Sequence, residues 1–321
     1  MKKILITGGF GFLGSRLSEF LCNDNYEIFI ATRKYPQKKL KLGDKFIKIK
    51  IIDWDCEKSI FNVCRNIDFI IHCAGLDSSF SNNNLIEAFN VNVFNSIKLI
   101  KAAEALRVKK IIFISTIQVY GQNLSGSINE LTIPKPESYY AISKKSAEDF
   151  LLASNLYNKY TKSYIVRLSN CFGRPASFSN KNINLIIFDF CSQAINNNQI
   201  IVNSKYNFVK NYITANDFCK AINIILELNQ NTENYHLFNL GGKSISLISL
   251  LKNICHLLNL EGVKVNTVVF KNEFSNTVYY PFKFNSNNFK KIGISFECLI
   301  DEEILDVIRF IKNNNKSLNE S

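Results

Sequence analysis

The sequence contains no run of 18 apolar residues, so no segment has the length of a membrane-crossing helix. It also lacks any Cys-x-x-Cys pair. Its nine cysteines, at positions 22, 56, 64, 73, 171, 191, 219, 255 and 298, are scattered and odd in number. This argues against a disulfide frame or a zinc site and for reduced core residues in a cytoplasmic protein. The net charge of +12 comes without a run of five basic residues and without a nucleic-acid-binding motif. Binding of an anionic substrate and cofactor accounts for part of that charge, and a general Lys, Asn and Ile bias for the rest; nucleic acid and membrane are not expected as partners. Only three apolar residues stand between Met1-Lys2-Lys3 and Thr7-Gly8, too few for the core of a signal peptide. No internal repeat or long linker divides the chain. With 321 residues and 46% hydrophobic content, it can bury a large core.

What is present starts at Thr7-Gly8-Gly9-Phe10-Gly11-Phe12-Leu13-Gly14, between the apolar run Ile4–Ile6 and a helical pattern through Leu17, Phe20 and Leu21. This reads as strand, glycine turn, helix. Gly8 and Gly9 allow a tight turn, Gly11 lets a pyrophosphate approach backbone N–H groups at the helix start, and Gly14 lets the helix lie close on the strand. A dinucleotide is the ligand such a turn suits. A second strand is expected over Glu27–Thr32, followed by Arg33-Lys34-Tyr35-Pro36. No acid occurs between Ile28 and Gly43, whereas Arg33, Lys34, Lys38, Lys39 and Lys41 do. An acid at that strand end would accept from the adenosine ribose, and an arginine suits a 2′-phosphate, so NADP(H) is favoured over NAD(H).

Further strands are expected at Phe46–Ile52, Ile67–His72 and Lys110–Ser115, with a helix through Val91, Ile97, Leu99, Ile100 and Ala103. This alternation predicts a parallel doubly wound sheet. Asp53, after the third strand, can accept from the adenine amino group, and the small Cys73-Ala74-Gly75 lets a cofactor lie against backbone. Ser115-Thr116 falls at a strand's carboxyl end, where open α/β sheets bind ligands. Downstream, Tyr140 and Lys144 are four apart and share a helix face. A phenol of ordinary pKa must give up about 4 kcal/mol of proton affinity to act as a base at neutral pH. One cation about 4 Å away, at an effective dielectric of ~20, supplies about that much. The spacing therefore predicts a Tyr140 phenol lowered by Lys144 into the range of a general acid/base.

Thr7 to Gly14, Asp53, His72-Cys73-Ala74-Gly75, Asn92, Ser115-Thr116 with Val119-Tyr120-Gly121, Tyr140 to Lys144 and Arg167 to Gly173 together resemble the extended short-chain dehydrogenase/reductase family. More closely they resemble its nucleotide-sugar epimerase/dehydratase branch, over the first residue to about 310. The resemblance implies an α/β fold: a Rossmann-type doubly wound parallel sheet formed by 1–172 and 206–242, with a smaller C-terminal α/β substrate lobe formed by 173–205 and 243–321. It implies that Thr116 bonds the reacting sugar oxygen, Tyr140 exchanges its proton, and Lys144 holds the nicotinamide ribose. Asn92 would support the active-site helix and a proton path. Gly8, Gly11, Phe12, Leu13, Thr32, Arg33, Asp53, Trp54, Cys73, Ala74, Gly75 and Ser169 would complete the cofactor site. Asn170 and Lys210 would meet the nucleotide-diphosphate sugar, Lys210 in the segment where the chain returns to the sheet. The tail from Asn313 is expected to fray. Relatives pair through helices that here would be Val91–Leu106 and Tyr140–Ser154, which implies a homodimer.

The reaction is narrowed by the positions after Thr116. Sugar 4,6-dehydratases that this chain resembles need an acid pair there, and 3,5-epimerising relatives need a cysteine; here stand Ile117 and Gln118. What remains is hydride transfer at one sugar carbon, C4. The opening Gly-Phe-Gly-Phe-Leu-Gly-Ser-Arg-Leu and the Thr32-Arg33 strand end are similar to nucleotide-sugar 4-ketoreductases, which is the favoured expectation. A 4-epimerase retaining NAD, a reductase of a non-sugar carbonyl and a non-catalytic dinucleotide sensor are the alternatives.

Overall fold

Uninterrupted apolar runs such as Ile4-Leu5-Ile6 and Ile111-Ile112-Phe113 make strands that must be covered on both faces. A computed structural model describes residues 1–23, 25–35, 41–42, 45–176, 185–229, 235–278 and 282–319, and in it these runs form one seven-stranded sheet. The order across the sheet is Leu237–Leu240, Lys162–Leu168, Lys110–Thr116, Phe69–His72, Lys2–Thr7, Tyr26–Thr32 and Lys48–Ile51. Every neighbouring pair is parallel. Successive side chains go to opposite faces. Ile4, Ile6, Ile71, Ile112 and Val166 join one core cluster, while Leu5, Ile70, Ile111, Phe113 and Ile165 join another.

From Lys2–Thr7 the chain winds outward through the next two strands and then crosses back to Phe69–His72. The winding direction therefore reverses between Lys2–Thr7 and Phe69–His72, which pair from Ile4↔Phe69 to Thr7↔His72. At such a reversal the loops leave in opposite directions and open a crevice at the carboxyl ends.

A second core lies between the helices Ile186–Asn197, Leu247–Leu260 and Ile300–Asn319. It packs on a three-stranded sheet of Asn170–Phe172, Val209–Thr214 and Lys243–Ser246. Lys210 thus lies on the middle strand of this small sheet, and the chain returns to the large one at Leu237–Leu240. The third strand is shorter than expected, Lys48–Ile51. The helix expected near Val91 begins earlier, at Leu85, and passes through a π-turn at Asn90–Phe94 before Asn95–Ala105.

The tail expected to fray from Asn313 is helical through Asn319. Three acids in its first turn suit the positive end of a helix, and Ile304, Val307, Ile308 and Ile311 recur at helical spacing on the second core. Of the basic residues after the second strand, Lys38 and Lys39 lie outside the described residues. Among the described residues no helix is long and apolar enough to cross a membrane, and no cluster of His, Cys, Asp and Glu could hold a metal ion.

Candidate active site

The crevice holds two adjoining cavities, of about 1000 and 540 Å³, whose walls share Gly8, Gly11, Cys73, Gly75 and Leu76. The glycine turn between them is built by backbone constraint. Gly8 has φ +68, and a Cβ there would stand 2.7 Å from the Ala74 nitrogen. Gly11 N donates to Gly8 O at 2.9 Å, and the helix Phe12–Leu21 starts directly after it. A Cβ on Gly14 would stand 2.4 Å from Gly8 O, so that helix can lie this close to the turn only with glycine there. The larger compartment is also walled by Thr32, Arg33, Asp53, Trp54 and Ala74. Thr32 Oγ1 donates to Lys34 O at 3.1 Å, curling the chain after the second strand so that the exposed Arg33 borders the cavity. Cα-close backbone, a helix N-terminus and an elongated two-part cleft fit an extended dinucleotide.

The smaller compartment brings together Phe12, Leu13, Thr116, Tyr140, Lys144, Ser169, Asn170 and Lys210. Ser138 starts the helix Tyr139–Tyr157 by accepting from Ala141 N at 3.2 Å, which sets Tyr140 and Lys144 one turn apart on the cavity side. Thr116 and Tyr140 face this cavity together, and the Thr116 hydroxyl is the polar neighbour that favours ionisation of the phenol. Burial pushes the Tyr140 phenol up to about 12, against the lowering effect of Thr116, and Asp77 adds to the rise.

This corrects the expectation of a phenol lowered by Lys144. The Lys144 ammonium is turned to the Phe113 ring, 4.2 Å from its centre, and the neighbours that favour its charged form are Cys73 and Glu148. Burial outweighs them and brings Lys144 down to about 8. The protein's own groups therefore keep Tyr140 protonated.

Asn92 lies behind the wall and lines neither cavity. Its Oδ1 accepts from Leu76 N at 2.8 Å, and its Nδ2 donates to Ser143 Oγ at 3.0 Å, which donates on to Tyr140 O. It clamps the loop after the fourth strand to the helix Tyr139–Tyr157, and among the described residues no bond joins it to Lys144. His72 extends this clamp: its Nδ1 bonds Thr7 Oγ1 at 2.6 Å and its Nε2 bonds Ser96 Oγ at 2.9 Å, and Ser96 donates to Asn92 O. Burial holds His72 at about 3, so it is neutral.

On the small-sheet side of the cavity, Asn170 Nδ2 donates to Asn211 O at 2.8 Å. Lys210 packs its ammonium over Phe208 at 4.6 Å, and partial burial lowers its pKa. Sequence reasoning passed over Asp77, Phe172 and Tyr212, which share this cavity, and Glu148, which stands behind it. Only Glu148 had a readable signal, continuing the four-residue spacing of Tyr140 and Lys144. After Thr116 the chain makes a short turn, Ile117–Tyr120, in which Gln118 N bonds Thr116 Oγ1 at 3.3 Å.

The model of the NAD-dependent epimerase/dehydratase family matches residues 4–241. The chain belongs to this family. Among its relatives is the dTDP-D-glucose 4,6-dehydratase of Homo sapiens, 29% identical over 304 residues that cover 88% of this chain and 82% of that protein. A putative UDP-glucose 4-epimerase of Methanocaldococcus jannaschii is 26% identical over 98% of this chain and its own whole length. The UDP-N-acetylglucosamine 4-epimerase of Methanobrevibacter ruminantium M1, solved in complex with UDP-N-acetylmuramic acid, superposes with a TM-score of 0.81 at 22% identity, covering 98% of this chain and 99% of that one. The family is one of nucleotide-sugar epimerase/dehydratase-type oxidoreductases, and its Rossmann-type sheet is the one described above.

Proposed function

We propose that this family member is an NADP(H)-dependent 4-ketoreductase of a nucleotide-diphosphate sugar. The observation that carries this reading is that Thr116 and Tyr140 face one cavity, in which Thr116 is followed by Ile117 and Gln118. A dehydration across C5 and C6 needs side chains that take and return protons, and neither of these titrates. The one carboxylate on the described wall of that cavity, Asp77, is engaged in capping a short helix by accepting from Phe80 N at 2.9 Å.

Gly8, Gly11 and the backbone before Phe12 would hold the pyrophosphate, Asp53 and Trp54 the adenine, and Lys144 and Ser169 the nicotinamide end. A nicotinamide dinucleotide bound there supplies or accepts the hydride. Tyr140, held protonated by burial, delivers its proton to the sugar oxygen, and Thr116 keeps that oxygen in place by a second hydrogen bond. Asn170 and Lys210 hold the nucleotide-diphosphate portion from the small sheet. A proton-donating tyrosine suits reduction, and Arg33 on the adenosine side suits a 2′-phosphate.

Full-length similarity to a putative 4-epimerase makes reversible transfer with a retained cofactor the competing reading. The deciding assay offers a 4-keto-6-deoxy nucleotide-sugar with NADPH. Stoichiometric NADPH consumption is expected; interconversion of hexose nucleotides with no net change at 340 nm would replace this reading with the epimerase. Arg33 is tested by titrating both cofactors. NADP(H) should bind about tenfold more tightly than NAD(H), a difference of about 1.4 kcal/mol, and Arg33→Ala should abolish the preference. Equal affinities in the unsubstituted protein overturn the NADP(H) assignment.

A further inference from the structure

Glu148 is fully buried one turn beyond Lys144 on the helix Tyr139–Tyr157. It lines neither compartment of the cleft. Arg167, 3% exposed on the strand Lys162–Leu168, meets its carboxylate with Nε at 3.1 and 3.2 Å and with Nη2 at 2.7 Å. Ser115, the residue before Thr116, donates its hydroxyl to the same carboxylate. Arg167 Nη1 continues to the Tyr120 hydroxyl at 2.8 Å, and Tyr120 donates to Asn239 Oδ1 at 2.7 Å. Tyr120 ends the turn that begins at Ile117.

Stability does not explain a buried ion pair here, because well-packed apolar residues of similar size commonly do as well or better. Geometry does. The Glu148–Arg167 pair ties together the helix presenting Tyr140 and Lys144, the strand presenting Thr116 through Ser115, and the turn after it through Tyr120. We propose that Glu148 is a positioning residue of the catalytic centre, locking the Thr116 strand end to the Lys144 helix turn through Ser115 and Arg167. This rests on the reading of Thr116, Tyr140 and Lys144 as catalytic.

Glu148 also acts on Lys144 by charge. The groups facing Lys144 are His72 and Cys73 from the fourth strand and its loop, the Phe113 ring from the fifth strand, and Tyr140 and Glu148 from its own helix. His72 is neutral and burial pushes the Cys73 thiol up to about 12, so Glu148 supplies the negative charge that supports the ammonium.

Two variants test this on the full chain. Ser115→Ala leaves the ion pair intact and removes only its tie to the strand end. It should lower kcat with the keto-sugar about tenfold or more, since small misplacements of reacting groups are costly, while cofactor affinity and Tm stay near those of the unsubstituted protein and Ser115→Thr restores kcat. Glu148→Gln should move the pH midpoint of Lys144 acetylation by acetic anhydride, followed by peptide mass spectrometry, downward by about half a unit or more, which is about a threefold gain in labelling below the midpoint. A Ser115→Ala protein that loses Tm but keeps its kcat, or a Glu148→Gln protein whose Lys144 labels with an unchanged midpoint, overturns the proposal. If no nucleotide-sugar is turned over, the functional reading has failed, and the Lys144 labelling still decides the role of Glu148.

Discussion

At Tyr140 the balance between burial and polar neighbours sets what the group can do. Its phenol is pushed up to about 12, so near neutral pH it carries a proton to give. Tyr140→Phe removes that proton and little else: we expect a folded protein that binds cofactor normally and turns over about 10² to 10⁴ times more slowly. Near-normal turnover in this variant would move the acid elsewhere. Lys144 makes a pH-dependent statement. Its folded pKa, about 8, is below that of an unfolded lysine, so between about 8 and the usual lysine value near ~10.4 the unfolded chain binds more protons and this residue's share of stability rises with pH. Lys144→Met removes a buried charge that opposes folding at neutral pH. The variant's Tm advantage should therefore shrink as pH rises through that window, and a constant difference in melting scans would show that Lys144 does not titrate there. The pairing of Tyr140 with Lys144 was readable because helix geometry alone dictates a four-residue face. The direction of the tyrosine shift was not, since it depends on where the ammonium turns, and Lys144 packs on Phe113.

Elements whose cause is local were the ones that spacing identified. Fully apolar strands, the glycine turn and the helix after it appear at their expected places because each is decided by a few neighbouring side chains. The π-turn at Asn90–Phe94 had no such signal; it is associated with Asn92 reaching both Leu76 N and Ser143, partners 16 and 51 residues away. Lys110 is a comparable case. It opens the strand Lys110–Thr116 and would read as a solvated strand end, yet it is 3% exposed, and its ammonium donates to the carbonyls of Ile225, Leu226 and Leu228. Ile225 and Leu226 are in the last turn of the helix Ala215–Glu227 and Leu228 follows it, where carbonyls lack partners within the helix and a cation complements the negative end. Lys110→Met keeps the length of the side chain but strands buried carbonyls. Leaving such acceptors unmade costs about 1–3 kcal/mol each before relaxation, so urea denaturation should show a loss of about 2–4 kcal/mol in one cooperative transition. A loss under about 0.5 kcal/mol, the size of an ordinary surface change, would mean that the helix end is capped by something else.

Across the whole molecule, one surface stands apart from the cleft. Leu85, Ile86, Phe89, Phe94, Tyr139 and Ile142 line an apolar groove of about 470 Å³, with Ile86 78% and Phe94 52% exposed. Soluble monomers seldom leave a contiguous apolar patch of this kind in water, and burying one such side chain is worth about 1.5–3 kcal/mol. A second copy of the chain is the occupant proposed here, because the groove is formed where the segment 85–94 meets the start of the active-site helix. The pairing that the sequence resemblance implies, through Val91–Leu106 and Tyr140–Ser154, overlaps this groove at Phe94 and Ile142. A two-fold axis would set the same patch on both copies face to face, so each copy's Ile86 and Phe94 would be covered by the other. Such a contact would be centred on the segment from Leu85, before the Val91–Leu106 stretch that the sequence implied. Light scattering at micromolar concentration should give twice the 36.7 kDa of one chain. Ile86→Glu combined with Phe94→Glu should give a monomer of unchanged helical content, because both side chains already face away from the core and the new charges would be buried against each other only in a dimer. Tyr139 and Ile142 flank Tyr140 on the same helix, so this monomer should also turn over more slowly than the dimer. An unsubstituted protein that runs as a single chain, or a double variant that remains dimeric, would place the interface elsewhere or remove it.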